Sequence, residues 1–569
     1  MTNSFNRDGI YFIPLGGADE IGINMYVYAV QGKLIVVDAG YGFLNDDYPG
    51  MDLAFADASF LENYAQDIEG LFITHAHEDH FGAIAHIWPK LKCPVYATDF
   101  TLGLISERLR EYHLEEGVEL HSVSQNRVVE LDNFTVEFIP IVHSVPETSA
   151  LAIRTTFGNV VHATDWRLDD GSIGFLQTDY QALERVANEG ISMFVCDSTN
   201  ALLDDPQPSE YEVRQNLIKM VPTFKNGLIA TCFASNLMRL ESLILAAQAA
   251  ERTPVLVGRS LLQNMHIARE NGYFENLPPF FDISEAKDIP SDKALYICTG
   301  SQANYRSALS LIANGEYKDI KLSAGDTIIF SSKMIPGNED KIERMQEKLI
   351  AQGVEVITSE TALVHTSGHA TKTELKKMYE LLNPQVVIPV HGSKRFTREH
   401  QRFALTCGIN QVLTPRNGDV VLYHDGGVEK IEEIATDIIG VDRNQETSLN
   451  SQLVKNRRRL AYNCSVYISV VFAPHWQLED LQISSIDIIE EQAFNTLAAE
   501  IKAKVIESLP AQIVKSNYRE DIISDYIRAK IRKAIYNQTG IKPVTFMHFF
   551  RRRDDEANPD FPDEAEDKQ

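Results

Sequence analysis

The sequence predicts an α/β protein built from several domains. Short apolar runs typical of strands alternate with helical patterns and Gly-containing turns through most of the 569 residues. In the first 205 residues, four of these runs stop at or beside an aspartate or a histidine. Between residues 206 and 355, strands and helices alternate as βαβ units do, which implies a parallel sheet. A chain of this length exceeds one ordinary core, so two to four domains are expected.

Composition is that of a soluble globular protein, with 44% hydrophobic and 23% charged residues. No apolar run of about 18 residues and no apolar leader is present, so we expect a cytoplasmic protein with no membrane partner. The six cysteines are widely spaced and form no CxxC pair, which fits free thiols in a reducing compartment. The net charge of −27 alone argues against a nucleic-acid partner, but bound metal cations reverse the field at a site.

In residues 1–205, an aspartate or a histidine lies at or near the end of several predicted strands. The run 34–37 leads into Asp38, 134–141 precedes His143, 160–164 ends at Asp165, and 193–196 ends at Asp197. Strand ends that meet at one edge of a sheet assemble a site from distant parts of the sequence. We therefore expect these four side chains to lie close together.

The most informative segment is the hexapeptide 75–80, which reads His-Ala-His-Glu-Asp-His. An apolar run at 70–74 indicates a buried strand before it, and the apolar spacing from Phe81 onward indicates the start of a helix. Neutral imidazole nitrogens and carboxylate oxygens are good ligands for zinc-like divalent metals. A solvated polar loop is the alternative, but three histidines in six positions after a buried strand favour a metal site.

Histidines return after the 206–355 segment, at His365 and His369, just before a capping-box pattern at 371–374. A predicted strand at 385–390 then ends at His391. Metal-type residues thus flank the segment, which indicates a domain inserted into a parent domain. The predicted boundaries are 1–205 and 356–445 for the parent domain, 206–355 for the insert, 446–460 for a basic linker, 461–553 for a small C-terminal α/β domain, and 554–569 for an acidic disordered tail.

Seven side chains form a candidate set of ligands for two metal ions. They are His75, His77, Asp79, His80, His143, Asp165 and His391. Each centre needs about four ligands, so the set suffices if Asp165 bridges and a water is shared. Two metals about 3.5–4 Å apart suit an in-line displacement at phosphorus. The hexapeptide by itself leaves esters, thioesters and phosphodiesters open as substrates.

These motifs resemble the metallo-β-lactamase fold, in the branch that carries an inserted β-CASP domain and processes nucleic acids. The second part of that resemblance is carried by 197–200, Asp-Ser-Thr-Asn, 365–369, His-Thr-Ser-Gly-His, and 389–392, Pro-Val-His-Gly. Within the branch, the chain resembles the bacterial ribonuclease J family over nearly its whole length. Supporting strings are found at 15–22, 233–236, 299–302 and 335–339. The resemblance implies a metallo-β-lactamase αββα sandwich, an inserted β-CASP α/β domain and a small C-terminal α/β domain.

The resemblance also implies a role for each matching residue. One metal would be held by His75, His77 and His143, the other by Asp79, His80 and His391, with Asp165 between them and Asp38 supporting the ligand histidines from behind. The catalytic residues would be Asp79, Asp197 and His369, the last two handling protons. His365, Thr366, Ser367, Gly368 and His369 would hold the 5′-terminal phosphate of RNA, while Ser235, Asn236, Ser301 and Ser331 would line the RNA channel.

The implied function is a two-metal ribonuclease of RNA processing and decay, including rRNA processing and mRNA decay. It would act as a 5′-to-3′ exonuclease with endonuclease activity and leave 5′-monophosphate products. The implied cofactors are two divalent ions per chain, Zn²⁺ first and Mn²⁺ or Mg²⁺ as alternatives. The implied partners are single-stranded RNA, preferably 5′-monophosphorylated, and further copies of the chain, in a homodimer or tetramer formed through the C-terminal domain.

Other functions stay open at this point. A DNA-directed β-CASP nuclease is the first alternative, although the position of His391 is usually not histidine in that branch. A thioester hydrolase would not need the insert, and a catalytically weak RNA-binding paralogue would not need the full ligand set. Asp197 could instead be a helix cap, His365 a structural histidine, and the serines of the channel plain turn residues.

Overall fold

The computed structural model describes residues 5, 7–169, 171, 173–174, 177–335, 338–443 and 445–552. The chain separates into two compact units. The first contains the chain up to Asn45 and Asp52–Val441, and the second contains Asp46–Met51 and the chain from Asp442 onward. The acidic tail predicted at 554–569 lies outside the described residues. Within the described ranges, no helix is long and apolar enough to cross a membrane.

The first part of the parent domain alternates strands with short helices. Its strands are β1 Ile10–Gly16, β2 Met25–Val30, β3 Lys33–Val37, β4 Tyr41–Phe43, β5 Leu53–Ala56, β6 Ile68–Phe72, β7 Val95–Ala97, β8 Leu120–Ser122, β9 Val128–Glu130, β10 Thr135–Pro140, β11 Ser149–Thr155, β12 Gly158–Ala163 and β13 Met193–Asp197. Its helices are α1 Glu78–Phe81, α2 Ile84–Leu91, α3 Asp99–Glu111 and α4 Tyr180–Asn188. The buried strand and helix start predicted around the hexapeptide are β6 and α1.

The insert forms the predicted parallel sheet. Its helices are α5 Glu210–Met220, α6 Leu237–Ala249, α7 Arg259–Glu270, α8 Ala308–Ala313 and α9 Glu339–Ala351, and its strands are β14 Leu228–Thr231, β15 Thr253–Val257, β16 Phe281–Asp282, β17 Ala294–Cys298, β18 Thr327–Phe330 and β19 Glu355–Ile357. The strand order is β16–β15–β17–β14–β18–β19, and the pairs are parallel. A capping box of Ser209 and Glu212 begins α5.

After the insert, the chain returns to the parent sheets. It adds α10 Lys372–Leu382, β20 Val386–Val390, α11 Lys394–Thr406, β21 Gln411–Val412, β22 Asp419–His424, β23 Gly427–Glu433 and β24 Ile438–Asp442. Strand β20 pairs in parallel with β13, and β22 pairs antiparallel with β1. The predicted capping box of Thr371 and Glu374 is present at the start of α10. The parallel sheet of the insert therefore lies, in the chain, between two parts of one domain.

The parent domain is a four-layer αββα sandwich, as predicted. One sheet runs β23–β22–β1–β2–β3–β6–β7–β8 and the other β21–β20–β13–β12–β11–β10–β9. The layer between the sheets is apolar and contains Phe12 from the first sheet and Phe138 from the second. On the outer face of the second sheet, Phe194 packs in a core with Leu183 of α4 and Leu375 of α10. Burial on both faces explains why these strands are continuously apolar.

The second unit contains the predicted C-terminal α/β domain. Its elements are β25 Gln445–Ser448, α12 Gln452–Asn463, β26 Ser465–Phe472, β27 Leu478–Ile486, α13 Glu491–Lys515, α14 Glu520–Thr539 and β28 Val544–Arg551. The sheet order is β27–β26–β28, and β26 pairs with β28 in parallel. Both helices bury a stripe of aliphatic side chains in the core of this unit.

The segment 446–460, predicted as a basic linker, contains most of β25 and α12. Ser451 accepts a hydrogen bond from Val454 and caps α12, while Val454 itself is buried. The arginines of the helix also have local partners, since Arg457 forms an ion pair with Asp442. Basic residues are good helix formers, so a charge run does not by itself indicate an irregular segment.

Isoleucine spacing in α14 gives a test of this packing. Ile523, Ile527, Ile531 and Ile535 are fully buried at four-residue intervals. We expect Ile531→Ala to destabilise the second unit by about 2–5 kcal/mol, through lost burial and a residual cavity. The matched variant Ile522→Ala, at a side chain 37% exposed on the same helix, should cost less than about 0.5 kcal/mol. Hydrogen exchange of α13 and α14 measures both, and equal effects would contradict this packing.

Candidate metal centre

Most of the predicted ligand residues follow strands that are parallel neighbours within one of the two sheets. Strand β3 pairs in parallel with β6, and β12, β13 and β20 pair in parallel in the other sheet. Their carboxyl ends lead to Asp38, His75, Asp165, Asp197 and His391. Five of the seven predicted ligands are buried, and so are Asp38 and Asp197. The exceptions are the ligands His77 and Asp79 and the neighbouring His369, which are half-buried. The side chains share one edge of the sandwich, as the strand-end pattern indicated.

Three imidazoles and one carboxylate form the first group. The Nδ1 atom of His77 lies 3.1 Å from Nε2 of His75 and 3.1 Å from Nε2 of His143, and Asp165 Oδ2 lies 3.2 Å from His143 Nε2. The four ligand atoms lie within 4.8 Å of one another. Burial lowers the pKa of His77 to about 4 and that of His143 to about 3, and it also lowers the pKa of His75. Neutral imidazoles facing one another suit a metal ion.

The second group consists of Asp79, His80 and His391. Asp79 Oδ2 lies 3.3 Å from His391 Nε2 and 3.6 Å from His80 Nε2. Burial alone would lower the pKa of His391, but Asp165, Asp197 and Asp79 outweigh it and raise that pKa to about 10. The same balance of burial against Asp165 and Asp79 raises the pKa of His80. Negative charge at this end of the cluster therefore favours a bound cation.

Asp165 lies between the two groups and contacts both. Its Oδ1 is 3.1 Å from His80 Nε2 and 3.6 Å from His391 Nδ1, while its Oδ2 faces His143. Burial opposes ionisation of Asp165, but His391, His80 and His369 outweigh it and hold its pKa well below the usual range. Within the described part of the chain, Oδ1 has no hydrogen bond of good geometry. A buried carboxylate oxygen without a hydrogen bond, among imidazoles, fits a residue that shares metal ions.

Asp38 lies behind His80 and contacts its ring. Its Oδ2 lies 2.7 Å from His80 Nδ1, which leaves the other ring nitrogen facing Asp165. Its Oδ1 accepts a hydrogen bond from the backbone N–H of Thr74, next to His75. A second carboxylate behind a ligand histidine fixes the orientation of the ring.

Two supporting residues are missing from the sequence-based prediction. Asn24 donates to the carbonyl oxygen of Asp79, and its Nδ2 lies 3.0 Å from His80 Nε2. Thr199 Oγ1 lies 3.0 Å from His391 Nδ1 and donates to the His391 carbonyl oxygen. Thr199 follows Asp197 at the end of β13, and that position could have suggested it. Asn24 precedes β2, and no local pattern marks it.

His369 and Asp197 form a pair beside the cluster. His369 Nδ1 lies 2.8 Å from Asp197 Oδ2, and its Nε2 lies 3.8 Å from Asp165 Oδ2. Burial would lower the pKa of His369, but Asp197 and Asp165 raise it. Burial would raise the pKa of Asp197, but His369 and His391 bring it to about 2. Asp197 is thus ionised and close to a histidine that favours its protonated form, an arrangement that suits proton transfer.

The loop 365–369 packs directly against the first group. The carbonyl oxygen of Gly368 lies 2.7 Å from His143 Nδ1. A Cβ at Gly368 would lie 2.6 Å from the same nitrogen, so a side chain does not fit there. His365 Nδ1 lies 3.2 Å from Nη1 of buried Arg239, and burial together with Arg239 lowers the pKa of His365. The predicted phosphate loop therefore adjoins the cluster.

The four predicted channel residues differ in their surroundings. Asn236 caps α6, because its side chain accepts from the N–H of Arg239. Ser331 is buried, donates to the Val364 carbonyl oxygen and accepts from Arg239. Ser301 is buried, whereas Ser235 is half-buried in the turn before α6. The internal bonds of Asn236 and Ser331 give both residues a structural role.

Three family models match consecutive parts of the chain. "Beta-lactamase superfamily domain" matches residues 33–183, "Ribonuclease J, beta-CASP domain" matches 225–349, and "Zn-dependent metallo-hydrolase RNA specificity domain" matches 353–412. With the sandwich, the insert and the His/Asp cluster, these matches define a metallo-hydrolase of the metallo-β-lactamase fold that carries a β-CASP domain.

Relatives across almost the full length give the particular family. Ribonuclease J of Sinorhizobium meliloti is 36% identical over 94% of this chain and 96% of its own. Ribonuclease J of Helicobacter pylori strain 26695 is 30% identical over 96% of this chain and 80% of its own, and that of Mycolicibacterium smegmatis is 38% identical over 72% and 74%. The chain belongs to the ribonuclease J family.

A solved structure supports the fold alone. A protein of unknown function from Enterococcus faecalis V583 aligns with a TM-score of 0.51 and 17% sequence identity, over 73% of this chain and all of its own. The predicted family and fold class are confirmed by these comparisons together.

Adjacent carboxylates at 78 and 79 provide a sharp test of the cluster. Asp79 belongs to the second group, whereas Glu78 forms an ion pair with Arg108, 2.8 Å away, outside both groups. We expect Asp79→Asn to lower the zinc content of the dialysed protein by about one ion per chain, because a ligand at one centre loses its charge. Glu78→Gln should retain the wild-type content. Elemental analysis by mass spectrometry measures both, and equal zinc loss in the two variants would contradict the assignment.

Proposed function

We propose that this protein is a two-metal ribonuclease that degrades RNA from the 5′ end and also cleaves internally, with 5′-monophosphate products, in RNA processing and decay. The observation that carries the proposal is the cluster of histidines and aspartates at one edge of the sandwich, which contains all seven predicted ligands together with His369. The relatives support it, since all three are named ribonuclease J. RNA is therefore the proposed substrate class and partner.

The proposed site holds two divalent ions, with Zn²⁺ as the first candidate. His75, His77 and His143 would bind one, Asp79, His80 and His391 the other, and Asp165 both. Bound there, the ions would supply positive charge that activates water and stabilises charge on a phosphodiester. The protein contributes orientation, because Asp38, Thr199 and Gly368 each contact a ligand histidine.

Asp197 and His369 are the proposed proton-handling pair. His369 Nε2 lies 3.8 Å from Asp165 Oδ2, and His369 retains some exposure, whereas Asp197 is buried. In its protonated form, His369 can donate from Nε2 to an oxygen that leaves the phosphorus. Asp197 orients the ring through Nδ1 and stabilises the imidazolium.

The loop 366–368 is the proposed site of the 5′-terminal phosphate. It precedes α10, and it lies beside the cluster through the contact of Gly368 with His143. Backbone N–H groups before a helix suit an anion. Lys333 adds a nearby cation, because its ammonium group donates to Asn200 Oδ1, 3.2 Å away, and Asn200 in turn bonds the loop. We further propose a homodimer or tetramer through the C-terminal domain.

The first test is hydrolysis of a 5′-monophosphorylated single-stranded RNA by the zinc-loaded protein. We expect progressive release of nucleoside 5′-monophosphates, and a loss of about 10³-fold or more in the Asp79→Ala, His80→Ala variant. Denaturing gels and chromatography of the products measure both. RNA left intact by the wild-type protein would contradict the proposal. Faster hydrolysis of DNA of the same sequence would favour a DNA-directed nuclease, and binding without hydrolysis a scaffold.

A second test concerns the proton-handling pair. Asp197→Asn removes the charge that raises the pKa of His369, so the acid form of His369 is lost at lower pH. We expect kcat to fall by about 10²-fold or more, and the alkaline limb of the pH–kcat profile to shift to lower pH. Asp204→Asn, at an exposed carboxylate that pairs with Lys372, should leave the profile unchanged. An unshifted alkaline limb in Asp197→Asn would contradict the role of the pair.

A further inference from the structure

Arg167 lies where the chain crosses between the parent domain and the insert. It follows β12 by four residues and is only 4% exposed. Its Nη2 donates to the carbonyl oxygen of Gln207 and its Nη1 to that of Pro208, both in the segment that leads into the insert. Its Nη1 also donates to Thr366 Oγ1 at 2.7 Å and to the Ser367 carbonyl oxygen at 3.0 Å. One guanidinium group therefore bonds both the segment that enters the insert and the segment that follows it.

The same residue is also tied to the metal cluster through its backbone. The N–H of Arg167 donates to the carbonyl oxygen of Val142, 2.8 Å away, in a short antiparallel bridge. Val142 precedes His143, and Asp165 lies two residues before Arg167. His143 contacts the loop in turn, through Gly368. A closed ring of contacts thus joins the cluster, Arg167 and the loop.

Two buried carboxylates balance the charge of Arg167, but its closest contacts are of another kind. The carboxylates beside it, Asp169 and Glu374, are 3.9 Å from its nitrogens, whereas its short contacts are to carbonyl oxygens and a hydroxyl group. Glu374 is itself engaged by the N–H groups of Leu168 and Thr371. The planar fork of a guanidinium can bond several fixed acceptors at once, which a lysine cannot reproduce.

Asn200 also forms hydrogen bonds with the 366–369 stretch. Its Nδ2 donates to Ser367 Oγ and to the His369 carbonyl oxygen, both at 2.9 Å. Arg167 and Asn200 together hold the stretch 366–369 through hydrogen bonds to its carbonyl oxygens and hydroxyl groups. The position of the loop relative to the cluster is thus over-determined by buried hydrogen bonds.

We propose that Arg167 is a positioning residue that fixes the distance between the 366–368 loop and the metal cluster, and so sets the preference for RNA with a 5′-phosphate. The inference rests on the proposed function, in which that loop receives the terminal phosphate. Binding of the 5′-terminal phosphate by the loop and cleavage of the phosphodiester at the cluster would then be coupled through Arg167. A displaced loop would weaken cleavage guided from the 5′ end, while the cluster itself stays intact.

The test compares Arg167→Lys and Arg167→Met with the wild-type protein on one RNA sequence, made with a 5′-monophosphate or a 5′-hydroxyl. The expected result is a fall of about 10- to 100-fold in kcat/KM for the monophosphate RNA, with a smaller fall in Arg167→Lys. The ratio of the two kcat/KM values should move towards one. Zinc content and hydrolysis of bis(p-nitrophenyl) phosphate, which has no terminal phosphate to place, should stay within about two-fold of wild type per bound ion.

Arg252→Lys is the matched control. Arg252 is 6% exposed and its guanidinium donates to the carbonyl oxygens of Ala294, Phe224 and Asn226 inside the insert, away from the loop. This variant should keep the wild-type ratio, although it loses a comparable set of buried bonds. If Arg167→Met does not fold, Arg167→Lys carries the comparison.

Two results would overturn the role of Arg167 while leaving the proposed function intact. The first is an unchanged ratio of the two kcat/KM values in the Arg167 variants. The second is an equal loss of kcat/KM on both RNAs and on bis(p-nitrophenyl) phosphate. The second result would make Arg167 a residue of general stability. A wild-type protein that hydrolyses neither RNA would overturn the proposed function instead. A wild-type protein that hydrolyses both RNAs equally would overturn the phosphate role of the loop, and this inference with it.

Discussion

The buried carboxylate of Asp165 is the constraint on which the site depends. It lies among His75, His80, His143 and His391, and its distances to their nearest nitrogens run from 3.1 to 3.8 Å. An isolated carboxylate in such a place would be strongly destabilising, because burial removes its hydration. Positive charge must accompany it, either as protons on neighbouring histidines or as metal ions. The pKa of Asp165 is well below its usual range for this reason.

The two ends of the cluster meet this requirement differently. His77 and His143 have lowered pKa values and present neutral nitrogens, which is the form that a metal binds. His80 and His391 have raised pKa values because carboxylates surround them. A cation that binds between Asp79 and these histidines has to displace protons, so occupancy at that end should be the more sensitive to acid. One carboxylate therefore contacts two groups of histidines of different character.

Strand-end patterns predicted most of the cluster and the parent fold, because a parallel sheet converts sequence position into position at an edge. Asp38, Asp165 and His391 each follow a buried strand, and the structure brings them together. Arg167 and Asn24 escaped prediction since their partners lie far away in sequence and no local spacing marks them. The helix α12 in the predicted linker escaped it because its charged face resembles a solvated segment. The grouping of Asp46–Met51 with the second unit is likewise a product of tertiary packing.

The chain belongs to the ribonuclease J family, and its cluster of histidines and aspartates lies at one edge of the sandwich. Anomalous diffraction from crystals of the zinc-loaded protein would locate the ions directly. We expect two zinc peaks per chain about 3.5–4 Å apart, with Asp165 oxygens bound to both ions. A single ion among His75, His77 and His143, with Asp165 and Asp79 unligated, would contradict this expectation.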